Sequence, residues 1–387
     1  MCFRASYGAP IAVSAYGAYT FGSFPTARFA VGRLLLRVGF RMAEQRKFVA
    51  RCDAQEPFYV GVDLGGTNVK AGVVDSLGRP MSWLTLPTNS PTGPEDAARR
   101  MGLAVQQATA EAGLAANDIA RVGLGSPGTM DIPTGMLLEP PNLPGWEHFP
   151  LRGRLEHHCG HEVTFANDAN AAAYGEYWVG SGRELTSMVL YTLGTGVGGG
   201  IVIGDVVVEG HHSTGAECGH IIIDISPKAR LCPCGQPGHL EAYCSATAVL
   251  KRTEEALAEG RPTSLRKRMA EGSALTTVLL AEEAAAGDPL AEAIIVETAH
   301  YFGVGVTSLM HAIDPQGVVI GGAMTFGGNE TAVGRKFLAE VRAEVGRRAF
   351  PVLAARTSIE YARLGGDAGF IGAAGLARLE HRRRHRM

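Results

Sequence analysis

Apolar and polar positions change their period several times along the chain. From Phe58 the run FYVGVDLGGTNVKAGVVD sets β-branched and small apolar residues either side of a glycine break. It predicts strand, turn, strand, with the turn inside Leu64 to Asn68. PEDAARRMGLAVQQATAEAGL carries apolar residues at helical spacing and starts with Pro94, a residue suited to a first helical turn. RVGLGSPGTMD reads as a short buried strand opening into a Gly/Pro loop, HEVTF as strand-like, and NDANAAAYGEYW as an alanine-rich helix. SMVLYTLGTGVGGGIVIGDVVV repeats the pattern of strand, glycine turn and strand. ALTTVLLAEEAAAGDPLAEAIIVETAHYFGVGVTSLMHAI has the length of two helices broken near Gly287 and Pro289. GVVIGGAM is a buried strand ending in a double glycine, and DAGFIGAAGLARLEH a closing helix. Strands alternating with helices predict an α/β protein.

Aligned on Leu64 and Leu193, VDLGGTNVKAGVV matches YTLGTGVGGGIVI, so one glycine hairpin occurs twice and predicts two similar β-based lobes. Gly194, Gly196 and Gly199 satisfy G-x-G-x-x-G. That fingerprint binds a dinucleotide only where a helix follows, because the pyrophosphate sits on the helix N-terminus. Here the β-branched run IVIGDVVV follows, and the dinucleotide reading fails. No G-x-x-x-x-G-K-[ST] occurs, which excludes a P-loop. A glycine hairpin can still hold phosphate, since bare backbone N–H groups form an anion-binding concavity that phosphate oxygens approach closely. Gly65, Gly66, Thr67 and Asn68 form one candidate cradle, Gly194, Thr195 and Gly196 the other, and Gly321 and Gly322 end the later strand. Asp63, just before the first turn, suits Mg²⁺ held through water, because magnesium favours one or two carboxylates plus substrate phosphates. An ordinary glycine turn explains one such hairpin less well once it is matched by a second.

The 387 residues and 46% hydrophobic content allow two domains with a sizeable core. A formal net charge of −2 provides no electrostatic footprint for nucleic acid or an anionic membrane. No unbroken apolar run reaches the length of a bilayer span. Seven cysteines, odd in number and dispersed, do not form the dense framework of a small secreted domain, and a reducing cytoplasm is the expected setting. Residues 1–56 differ from the rest. No acid precedes Glu44, while Arg4, Arg28, Arg33, Arg37 and Arg41 are scattered among small and aromatic residues. The composition is like that of a transit peptide but lacks a signal-peptide core, and the expectation is that translation begins at Met42. HRRRHRM at the other end reads as a solvated tail.

The chemistry-bearing residues fall into two groups. Asn167 and Asp168 open the alanine-rich helix, where Asn and Asp commonly cap. The functional alternative makes Asp168 the group that takes a proton from a substrate hydroxyl as it attacks phosphorus. GAECGH sets Glu217 three residues before His220, and Glu241 lies in the stretch CPCGQPGHLEAYCS. Two carboxylates near a histidine fit the hydroxyls of a sugar, since a carboxylate accepts from two of them. Cys232-x-Cys234 is too closely spaced for an ordinary disulfide and suits tetrahedral Zn²⁺, completed by His220 and by His239 or Cys244.

Together these residues resemble the ROK family (repressors, open reading frames and sugar kinases) of the hexokinase–actin-like ATPase superfamily. The resemblance spans about Phe58 to Leu379 through DLGGTNVKAGVVD, GSPGTMD, PNLPGW, NDANAAAYGE, TLGTGVGGG, GAECGH, the CxCGxxG block with its LE, GVVIGGA and GDAGFIGAA. It implies a two-lobed actin-like (ribonuclease H-like) α/β fold with a cleft between lobes: 57–173 plus 366–387 as the smaller, 174–365 as the larger with the zinc, and 1–56 as an extension. It implies ATP-dependent phosphorylation of a hexose C6 hydroxyl, glucose first, with an N-acetylmannosamine or N-acetylglucosamine kinase or a sugar-responsive repressor as alternatives. Asp168 would be the base; Asn167, Glu217, His220 and Glu241 would bind sugar; Gly128 and Asn142 would line its pocket. Asp63 would sit on the magnesium side, with Lys70 and the glycines of both hairpins and of the later strand about the nucleotide. Zinc on His220, Cys232, Cys234 and His239 would hold His220, and the chain would be a cytoplasmic homodimer. The sequence departs from the family in having His239 where a third cysteine is usual. Its first 56 residues also lack the helix-turn-helix pattern of a family repressor.

Overall fold

The computed structural model describes residues 47–140 and 143–385, so Asn142 and residues 1–46 of the extension lie outside the described residues. The compact unit begins at Lys47. It takes in residues 47–56, which the shift in composition assigns to the extension. There Val49 and Ala54 pack on the first hydrophobic core, and Arg51 donates to the carbonyl of Gly113 at 2.7 Å.

The first half of this unit contains β1 (Phe58–Leu64), β2 (Asn68–Val74), β3 (Leu84–Pro87), α1 (Pro94–Glu111), β4 (Ile119–Ser126), β5 (Thr129–Asp131), β6 (Met136–Glu139), α2 (Leu151–Cys159), β7 (Val163–Asn167) and α3 (Asp168–Val179). The second half contains β8 (Ser187–Leu193), β9 (Val197–Ile203), β10 (Val206–Val207), α4 (Glu241–Cys244), α5 (Ala246–Ala258), α6 (Leu265–Ala270), α7 (Thr277–Ala285) and α8 (Pro289–Ile313). After these come β11 (Gly317–Gly321), α9 (Ala332–Arg348), α10 (Pro351–Arg356), β12 (Ser358–Tyr361) and α11 (Ala368–Arg384). Strand order is β3-β2-β1-β4-β7 in one five-stranded sheet and β10-β9-β8-β11-β12 in the other. In each, an antiparallel meander is followed by two parallel strands, so the repeated hairpin in the sequence is the start of a repeated sheet. Thr129–Asp131, read from sequence as part of a loop, pairs instead with Met136–Glu139. Three residues are too few for an alternating pattern to register.

β1 is buried at six of its seven positions, as a central strand covered on both faces must be. α1 and α2 cover the first sheet with Met101, Val105, Leu151 and Leu155. α8 is long and apolar enough to cross a membrane by length and composition. In this fold its Leu290, Ile294, Phe302, Val306 and Met310 are buried in the second core with Phe337 and Val341 of α9. α3 and α11 cross at Gly175 and Gly372, where a Cβ on Gly372 would overlap the carbonyl of Ala171. The chain passes from the first sheet to the second after α3 and returns after β12. One fully buried carboxylate holds both passages. Glu176 accepts from Ser181 N at 2.8 Å, Arg363 N at 3.0 Å and Leu364 N at 2.7 Å.

Candidate active site and metal cluster

β7 delivers Asn167 and Asp168 to the start of α3, at the end of the parallel part of the first sheet. The Asn167 side-chain oxygen caps α3, accepting from Ala169 N at 2.9 Å and Asn170 N at 3.3 Å. Its capping role is therefore real, and it leaves the amide nitrogen for other partners. Burial pushes the Asp168 carboxyl up to about 6, and the carboxylates of Asp63 and Glu217 push the same way. Asp63, next to last in β1, lies against Gly369 of α11, and burial raises its carboxyl too, with Lys70 at 3.7 Å pulling back. Lys70 also donates to the carbonyl of Gly366 at 2.8 Å, so it bridges the first hairpin and the approach to α11. A group of carboxylates that raise one another in this way has the field a hydrated cation neutralises.

Each hairpin turn is closed by a bond from its first glycine, but the register differs by one residue: Gly65 N donates to Asn68 O, three residues on, and Gly194 N to Gly196 O, two residues on, each at 2.9 Å. Thr67, Asn68 and Thr195 are exposed at the tips. Gly321 ends β11 and Gly322 follows it against the second hairpin, where Met324 N donates to Leu193 O at 2.9 Å. Gly322 has φ +93°, and any side chain there would run into the Leu193 backbone. Gly128 lies in the loop before β5 with Pro140 behind it.

The stretch around residues 220–239 brings together four side chains whose chemistry could hold a metal ion. One ligand atom each from His220, Cys232, Cys234 and His239 lies within 4.8 Å of every other. Cys234 Sγ and His239 Nδ1 are 3.2 Å apart, the two Nδ1 atoms 3.2 Å, and Cys232 Sγ is 3.8 Å from His220 Nδ1. Tetrahedral zinc with nitrogen at about 2.0 Å and sulfur at about 2.3 Å requires donor separations of about 3.3–3.8 Å, close to these three, and the full set of four lies within 4.8 Å. Cys244, the alternative fourth ligand, is excluded from the cluster: its buried thiol donates to Thr298 O of α8 at 3.6 Å.

His220 turns Nδ1 to the cluster and Nε2 toward Glu217 Oε2, 4.0 Å away. Burial raises the Glu217 carboxyl; His220 lowers it and Glu241 raises it again. Glu241 begins α4, accepts from Val197 N at 2.8 Å and lies 3.5 Å from Cys232 Sγ, so it joins the Cys/His cluster to the second hairpin. Reading the sequence passed over Glu176. Its one signal is an acid in the apolar second half of an alanine-rich helix.

A model of the ROK family matches residues 59–380. The chain belongs to the ROK family. Glucokinase of Halalkalibacterium halodurans is 32% identical over 83% of this chain and 95% of that protein. N-acetylmannosamine kinase of Escherichia fergusonii is 30% identical over 83% and 98%. Among solved structures, the ROK hexokinase from Thermus thermophilus matches with a TM-score of 0.71 at 35% identity, covering 84% of this chain and 99% of that one. The ROK glucokinase from Streptomyces griseus in complex with glucose and AMPPNP matches with a TM-score of 0.66 at 33% identity, covering 83% and 99%. This ROK chain therefore has the two-lobed actin-like fold.

Proposed function

We propose that the protein is an ATP-dependent hexose kinase that phosphorylates the C6 hydroxyl, with glucose as its substrate. The observation that carries this reading is the meeting of Asp168 with Asp63 and Glu217, beside two matched glycine hairpins, in a chain similar to glucokinases. In the transfer the C6 oxygen forms a bond to the γ-phosphorus, the bond from that phosphorus to the bridging oxygen breaks, and ADP leaves. Asp168 accepts the hydroxyl proton. Phosphoryl transfer asks mainly for positioning and charge neutralisation, and a carboxyl near 6 is ionised at neutral pH yet basic enough to hold the proton.

The amide nitrogen of Asn167, the carboxylates of Glu217 and Glu241 and Nε2 of His220 orient the sugar hydroxyls. Backbone N–H groups of Gly66 in the first turn and of Thr195 and Gly196 in the second receive the phosphates, and Lys70 adds positive charge beside Asp63. Mg²⁺ bound on the Asp63 side would neutralise phosphate charge. Zinc on His220, Cys232, Cys234 and His239 would lock the tautomer and ring orientation of His220, which then presents a fixed Nε2 to the sugar.

The test is a coupled ADP-release assay on purified protein across glucose, mannose, N-acetylglucosamine and N-acetylmannosamine. Glucose is expected to turn over fastest. Turnover of an N-acetylated sugar but not glucose would replace the substrate assignment. No turnover with any sugar, together with sequence-specific DNA binding, would replace the enzyme reading itself.

A further inference from the structure

Both glycine turns are held from behind by a threonine that the reaction does not use. Thr88, fully buried just past β3, donates its hydroxyl to Gly65 O at 2.6 Å and its backbone N–H to Thr67 O at 2.8 Å. Thr247, exposed in the first turn of α5, donates its hydroxyl to Thr195 O at 3.0 Å, and its neighbour Ala246 donates N–H to Gly194 O at 2.8 Å. The two braces come from unlike places, the end of an edge strand and the start of a helix after the Cys/His cluster. The duplicated sheet topology therefore does not by itself account for the match.

A planar trans peptide points its C=O and N–H in opposite directions. Holding Gly65 C=O toward Thr88 turns the Gly66 N–H the other way. Holding Gly194 and Thr195 C=O toward α5 does the same for the N–H groups of Thr195 and Gly196. Glycine-rich turns sample many conformations when unrestrained, and fixing them in advance removes an entropic cost from ligand binding.

We propose that Thr88 and Thr247 are positioning residues that aim the N–H groups of the two hairpins at the nucleotide phosphates, an inference resting on the kinase reading above. Each hydroxyl acts on nucleotide affinity and leaves sugar affinity alone.

The test substitutes valine, which keeps the shape and removes the donor, and serine, which keeps the donor. Binding of AMPPNP with Mg²⁺ is measured by titration calorimetry and sugar KM by the coupled assay, with thermal unfolding as a fold control. Thr247→Val, at an exposed site, is expected to weaken AMPPNP binding roughly fivefold, the worth of about one net hydrogen bond. Thr88→Val is expected to do the same, and the double variant to show about the product of the two effects. Sugar KM should stay within twofold, and Thr88→Ser and Thr247→Ser should restore nucleotide binding. Unchanged AMPPNP affinity in Thr247→Val, or a serine variant as weak as its valine counterpart, would overturn the inference and leave the kinase reading intact. A wild-type protein that binds no nucleotide would overturn both.

Discussion

Replacing Asp168 by asparagine separates catalysis from stability at a single atom. The substitution keeps an oxygen for the 2.8 Å bond from Ala169 N but removes the charge and the ability to take a proton. Loss of a general base lowers turnover by ~10²–10⁴-fold while sugar affinity stays within a few-fold. Stability should move the opposite way. The folded carboxyl is raised from 3.8 to about 6. The fold therefore binds this proton more tightly than the unfolded chain does. The carboxyl does not penalise the fold well below pH 4, and the penalty grows to its full size above pH 6. A rise of about two pH units at ~1.4 kcal/mol each is about 3 kcal/mol, and solvent at the outer edge of Asp168 reduces it to ~2–3 kcal/mol. Asparagine removes that penalty. At roughly 2 °C per kcal/mol for a domain of this size, the unliganded variant should melt about 4–6 °C above wild type at pH 8, with about half that gain at pH 5. Scanning fluorimetry at both pH values and steady-state kinetics measure the two effects. A variant with turnover within tenfold of wild type would refute the base assignment. An unchanged melting temperature at pH 8 would refute the burial argument behind it.

The pH profile of kcat/KM should fall on the acid side with an apparent pKa near 6, because Asp168 accepts a proton only when ionised; a flat profile from pH 5 to 8 excludes that role. Metal analysis of purified protein should find about one zinc per chain, reduced to near zero in Cys234→Ala with a raised sugar KM; a metal-free, fully active preparation contradicts the cluster's role. Glu176→Ala deprives the N–H groups of Ser181, Arg363 and Leu364 of their acceptor and should lower unfolding free energy by about 3–5 kcal/mol in denaturant titration. A loss below about 1 kcal/mol would show that the two passages between sheets do not depend on it.

The sequence alone determined the parts that depend on neighbours in the chain. Both glycine hairpins, the helix start at Pro94, the break before Pro289 and the closing helix follow from local period, turn chemistry and capping, and the structure has them where those signals lie. The close spacing of Cys232 and Cys234 likewise predicts a shared ligand. What the tertiary structure decided concerns partners far apart in sequence. It was folding that chose His239 over Cys244, because α8 takes the Cys244 thiol. Folding also gave the pair of passages their one carboxylate, Glu176, and set Thr88 and Thr247 against the carbonyls of the two glycine turns. It raised Asp168 chiefly by burying it, and further by bringing Asp63 and Glu217 near it. Hydrogen bonds and electric fields act through space, and no local pattern of residue types records which distant group will stand opposite.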